Sequence, residues 1–138
     1  MFLLIQGQDS VLAATFEATC QPITVPLCSD LSYTETVLPN VLGHKTQRDV
    51  DRDIQQFHPL VNMECSPHLK PFLCSVYTPE CVSGKARAPC RTLCEQARAN
   101  CEPLLNKFSF KWPEALRCEA FTTESCEHVS LPVFLKSP

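Results

Sequence analysis

Ten cysteines lie between Cys20 and Cys126 of this 138-residue chain, and no other side chains in it offer as much chemistry. Thiols in such number serve as metal ligands, as redox or nucleophilic thiolates, or as disulfides. Metal-site spacing is missing. No Cys-x-x-Cys occurs, and the closest pair, Cys90 and Cys94, is separated by three residues. His44, His58, His68 and His128 do not pair with cysteines at zinc-finger spacing either. The even count therefore reads as five disulfides formed in an oxidising, extracellular compartment, with no metal and no cofactor. Pairing every thiol leaves none as a thiolate nucleophile. Serine, histidine and acidic residues are present, but no nucleophile-elbow motif surrounds any of them. These residues point to a protein that binds rather than an enzyme.

The balance of charge narrows what it binds. A formal net charge of −3 with mixed signs argues against nucleic acid, which needs a basic face. The short charged run from Gln47 to Asp53 reads as a solvated helix face. No apolar run approaches the roughly twenty residues that cross a bilayer. The apolar start, Met1 to Ile5, is interrupted by Gln6, Gln8 and Asp9 before a signal core forms. Residues 1–19 are thus a leader-like or irregular segment, consistent with a truncated or alternative start. Residues 20–126 form one disulfide-bonded domain, and 127–138 a tail.

Local patterning indicates what holds the cysteines in place. Ile23 and Val25 alternate between Pro22 and Pro26, which allows a short edge strand at most. Residues 29–45 read as irregular, broken by Pro39-Asn40 and Gly43. A helix is expected from about Thr46, where Thr46 and Asp49 resemble a capping box and Val50, Ile54, Phe57 and Val61 recur at helical spacing. Pro59, which has no N–H and crowds the carbonyl of Gln55, must disturb its end. A second helix is expected from Ser66-Pro67, with Leu69, Phe72, Leu73 and Val76 on one face and Pro79 as its stop. The third begins at Cys90. At 100° per residue Cys90, Cys94 and Cys101 fall within about 40° of one another. Leu93, Ala97, Leu104 and Phe108 extend that stripe, and Pro103 is expected to kink the helix near its end. Residues 115–121 suit a short strand or turn.

Several stretches together closely resemble the Frizzled cysteine-rich domain: CQPITVPLC at 20–28, LPNVLGHKTQ at 38–47, QFHPLVNMECSP at 56–67, FLCSVYTPEC at 72–81 and PCRTLCEQARANCEPLLNKFSFKWPEALRC at 89–118. The likeness includes all ten cysteines in order. It implies a mainly α, disulfide-rich fold with a short two-stranded sheet. It also implies a pairing that the residues alone leave open: Cys20–Cys81, Cys28–Cys74, Cys65–Cys101, Cys90–Cys126 and Cys94–Cys118. Domains of this kind bind Wnt proteins, holding the monounsaturated fatty acyl group of the Wnt in an apolar groove and gripping a second Wnt loop elsewhere. The positions here that match the groove are Gln56, Phe57, Pro59, Met63, Leu105, Phe108 and Phe110.

Without the resemblance, Phe57, Met63 and Leu105 at helical spacing would read as plain core. With it, they become the walls of a trough, where each buried methylene gains about 0.8 kcal/mol on leaving water. His58 is expected at the rim or in solvent. Residues 82–89 and 119–125 look shorter than in many relatives, and no Asn-x-Ser/Thr sequon occurs. Groove binding is therefore the better-supported contact. The expected function is Wnt binding, as a receptor ectodomain or a soluble antagonist, with a homodimer bridged by a shared acyl chain as a further implication. The competing reading is a structural or adhesion module of an extracellular mosaic protein, such as a protease or collagen, that does not bind Wnt.

Overall fold

The computed structural model describes residues 19–124 and Cys126. The tail read at 127–138 and all of the leader-like segment but Thr19 lie outside the described residues. Among those described, four α-helices and two small ribbons follow in the order β1 (Gln21–Pro22), β2 (Glu35–Thr36), α1 (Gln47–Ile54), α2 (His58–Asn62), α3 (Leu69–Tyr77), β3 (Cys81–Val82), β4 (Lys85–Ala86) and α4 (Arg91–Lys107). Each ribbon is antiparallel: β1 pairs with β2, and β3 with β4. An isolated bridge between Thr36 and Glu80 brings them next to each other. The mainly α, disulfide-rich fold stands as expected, with a second ribbon added. Among the described residues no helix is long and apolar enough to cross a membrane.

All ten cysteines lie among the described residues, and they pair as Cys20–Cys81, Cys28–Cys74, Cys65–Cys101, Cys90–Cys126 and Cys94–Cys118. None is free. Three bridges radiate from α4 and its first cap. The Cys90 sulfur also accepts from the Leu93 N–H at 3.4 Å, so the helix begins on a disulfide. The stripe expected on this helix is the one that is buried, with Leu93, Cys94, Ala97 and Cys101 all inside. Pro103 does not end the helix, which continues to Lys107 with the proline ring exposed.

The first helical stretch is not continuous. Thr46 caps it, its hydroxyl accepting from Asp49 N–H at 3.1 Å. After Ile54 the chain tightens into a 3-10 turn over Gln55–Phe57 and restarts as α2, with Pro59 in its first turn. The proline therefore moves the break upstream of itself, because a ring with no N–H is best tolerated where the helix has just begun. Replacing Thr46 by alanine strips that N-cap and is expected to lower stability by about 1 kcal/mol, read from urea unfolding.

Two other expectations need adjusting. α3 begins at Leu69 rather than at Ser66-Pro67, because Ser66 Oγ accepts from His68 N–H in a preceding turn. Residues 29–45 are not wholly irregular, since β2 lies within them. The core between α3 and α4 contains Phe72, stacked on Trp112 at 6.2 Å and edge-on to Phe121 at 5.7 Å. The indole N–H of Trp112 donates to Leu116 O at 2.8 Å, which fastens the 3-10 turns over Glu114–Leu116 and Cys118–Ala120. Those turns settle the strand-or-turn alternative at 115–121 in favour of turns.

Candidate functional site

The end of α4 leaves two phenylalanines exposed. Ser109 adopts φ 65°, Ser109 N–H donates to Asn106 O at 3.0 Å, and Phe110 N–H donates to Leu105 O at 3.0 Å. This pair of bonds is a Schellman motif. It satisfies late helical carbonyls and brings the residue after the left-handed position back over the last turn. The Phe110 backbone is thereby tied to that of Leu105, which is half-buried. Phe108 at the C-cap is 56% exposed and Phe110 is 64% exposed. Helical periodicity placed Phe108 on the buried stripe. The structure moves it out because the helix ends at Lys107.

The 55–63 segment reaches the same helix through a covalent tie. Cys65–Cys101, with a Cα–Cα distance of 5.1 Å, holds the chain beyond α2 against α4, and Leu105 lies one helical turn past Cys101. Met63 caps α2 at its C-terminus and is 52% exposed. Gln56 and Pro59 are exposed too. Phe57 departs from the others in being only 9% exposed, set edge-on to Tyr77 at 6.2 Å. It belongs to the core as much as to any surface. His58 is exposed, as expected of a residue at a rim or in solvent.

Behind Gln56 stands a polar cluster that sequence reasoning missed. Asp53 accepts from His44 Nε2 at 3.0 Å and, through its other carboxylate oxygen, from Gln56 Nε2 at 2.9 Å. Gln56 Nε2 also donates to the Asp53 backbone carbonyl at 2.9 Å. His44 also stacks on the Tyr77 ring at 5.6 Å. Burial first, then the nearby Asp53 charge, hold the Tyr77 phenol well above its ordinary pKa. On the far side, buried Asn40 contacts His44 Nδ1 at 3.0 Å. Asp53 sits in the charged run read as a solvated face. Only its neighbours in space, from the 40–44 turn and from α3, mark it out.

A separate cleft of about 950 Å³ opens between the Asp30–Tyr33 loop, the end of α2, α3 and Arg87, with Leu31, Tyr33, Val61 and Pro71 among its walls. None of Gln56, Phe57, Pro59, Met63, Leu105, Phe108 or Phe110 lines it. Its cations are already engaged: Lys70 pairs with Asp30 at 2.7 Å and Arg87 with Glu80 at 3.0 Å. The Lys70 hydrogen bond holds the Asp30 carboxyl below its usual range.

A family model described as the Fz domain matches residues 20–125. Frizzled-1 of Xenopus laevis is 56% identical over 123 residues, covering 86% of this chain and 22% of that protein. The chain thus spans about a fifth of the length of that relative. Among solved structures, the selenomethionine-labelled Smoothened CRD matches at TM-score 0.59 and 29% identity, over 79% of this chain and 92% of that one. The Xenopus Smoothened cysteine-rich domain in complex with cyclopamine matches at TM-score 0.57 and 31% identity, over 79% of this chain and 95% of that one.

Proposed function

This chain belongs to the Fz domain family, an extracellular, receptor-type and non-enzymatic class of domain, and from that premise we propose that it binds Wnt proteins through an apolar groove for the Wnt acyl chain. The groove is built from Gln56, Phe57, Pro59, Met63, Leu105, Phe108 and Phe110. One observation carries the reading. Of the five large hydrophobic residues exposed among the described residues, three are Met63, Phe108 and Phe110, all at positions matched to the groove. Exposed aromatic and thioether side chains beside a rigid helix end are a surface that gains by being covered. The 950 Å³ cleft is a weaker candidate for an acyl chain, because bringing one in would desolvate two ion pairs. A related domain solved with cyclopamine supports the idea that this fold can hold a small molecule.

The mechanism is recognition without chemistry. Five disulfides hold the walls before the ligand arrives, so little ordering cost opposes binding. The acyl chain supplies hydrophobic affinity and the polar rim adjusts selectivity, in a receptor ectodomain or in a soluble antagonist. An acyl chain shared between two copies would yield a homodimer, detectable by light scattering with and without fatty acid.

Biolayer interferometry of the oxidised domain against an acylated Wnt, and against the same Wnt lacking its acylation serine, tests the proposal. Tight binding that disappears without the lipid is expected. Absence of binding to either, from a folded monomer with no free thiol, would assign the domain to a structural role instead.

A further inference from the structure

The cluster behind Gln56 dictates which way its amide faces. Asn40 is the anchor. Its Oδ1 accepts from the N–H groups of Leu42 at 3.1 Å and His44 at 2.9 Å, and its Nδ2 donates to Tyr77 O at 2.9 Å. Three backbone partners leave that amide one orientation, so the contact with His44 Nδ1 is a donation from Asn40 Nδ2. His44 therefore carries its proton on Nε2 and donates it to Asp53 Oδ2. The remaining carboxylate oxygen and the Asp53 carbonyl take up the Gln56 Nε2 group. What Gln56 turns outward is Oε1, an acceptor.

Resting on the groove reading above, we infer that Asp53 is a positioning residue that makes the rim of the groove an acceptor, selecting acyl chains whose head group carries an N–H or O–H donor over free fatty-acid carboxylates. An acyl group attached to a peptide or an alcohol brings such donors nearby. A carboxylate brings only acceptors, and meets the Gln56 carbonyl oxygen with the Asp53 charge behind it.

The variant Asp53→Asn makes a sharp test because Asn40 still dictates the His44 tautomer. The new side chain must then give its oxygen to His44 Nε2–H, leaving its own NH2 facing Gln56. Gln56 then relieves the clash of two NH2 groups by turning over and presenting donors outward, giving up its bond to the residue-53 carbonyl. Lys107 and Lys111, which flank the aromatic pair in sequence, are present in both proteins and cancel in the comparison.

Binding of oleoylethanolamide and of oleate is measured at neutral pH by isothermal titration, below their aggregation limits, on the parent, Asp53→Asn and Gln56→Ala. The parent is expected to prefer the ethanolamide about tenfold, the worth of one net hydrogen bond. That preference should vanish or reverse in Asp53→Asn and shrink in Gln56→Ala. The Gln56 side-chain amide resonances, followed by NMR in the ligand-free proteins, should move in Asp53→Asn. Equal affinities in the parent, or a preference unchanged in Asp53→Asn, would overturn the inference. Should both probes bind equally and both weaken when Phe108 and Phe110 are removed, the groove stands and the rim proposal alone falls. Should neither bind the parent, the groove reading fails and this inference with it.

Discussion

Replacing Phe108 and Phe110 together by alanine is expected to weaken binding of an acylated ligand about a hundredfold while leaving the unfolding transition nearly unchanged. Both rings are more than half exposed, so their removal opens no cavity in the free domain. The missing burial is felt only when a ligand covers them. A phenylalanine still half in water has roughly half of its full burial energy to gain, about 1.4 kcal/mol, and two such losses make two factors of ten. Phe57 behaves differently. At 9% exposure and packed on Tyr77 it is a core residue, and Phe57→Ala would cost about 3–5 kcal/mol of fold stability. Weak binding by that variant could reflect partial unfolding, so Phe57→Leu is the better probe of its share. An acylated ligand that bound the double alanine variant as tightly as the parent would remove the aromatic pair from the site.

Loss of the Cys65–Cys101 bridge should lower stability substantially. The two residues are 36 apart in sequence, and closing a loop of that size stabilises by about 4 kcal/mol in the chain-entropy model. Against the roughly 5–15 kcal/mol that holds a typical domain folded, this is a large fraction. Cys101 is fully buried, so the Cys65→Ala/Cys101→Ala variant also loses two sulfurs from packed surroundings. Urea unfolding monitored by the fluorescence of Trp112 measures the difference. The same variant frees the segment carrying Met63 from α4. Ligand affinity should then fall even at temperatures where the variant remains folded, because the wall must be ordered on binding. A stability loss below about 1 kcal/mol would mean that the overlapping loops of the other bridges already restrict the unfolded chain by nearly as much.

Much of this domain was legible before any coordinates. Thr46 announced its helix because an N-cap is a local device: a hydroxyl three residues ahead of an N–H that needs an acceptor. Cys90, Cys94 and Cys101 declared a buried stripe because helical periodicity is a property of the residue order itself. The pairing of the cysteines came from the resemblance and not from spacing, since helix geometry says which sulfurs share a face but not where their partners lie. The first ribbon was only half legible. The alternating Ile23 and Val25 lie just past β1, which is Gln21–Pro22, and Glu35–Thr36 becomes a strand only by lying beside it.

Whatever depended on where an element stops, or on what faces it from another part of the chain, was decided by the tertiary structure. Phe108 continues the α4 stripe in sequence yet faces outward, because Ser109 turns left-handed and closes the helix one residue earlier than periodicity requires. No glycine marks that turn, so the local signal was missing. Asp53 looked like one more charge on a solvated face. It became a hub only when the 40–44 turn and Tyr77 were brought against it from elsewhere in the chain. By itself, then, the sequence determined the class of fold, the compartment and the residues to suspect. Tertiary structure decided which of them are exposed, which are core and which way the Gln56 amide points. Helical periodicity and capping are short-range physics, whereas exposure and hydrogen-bond direction are set by neighbours distant along the chain.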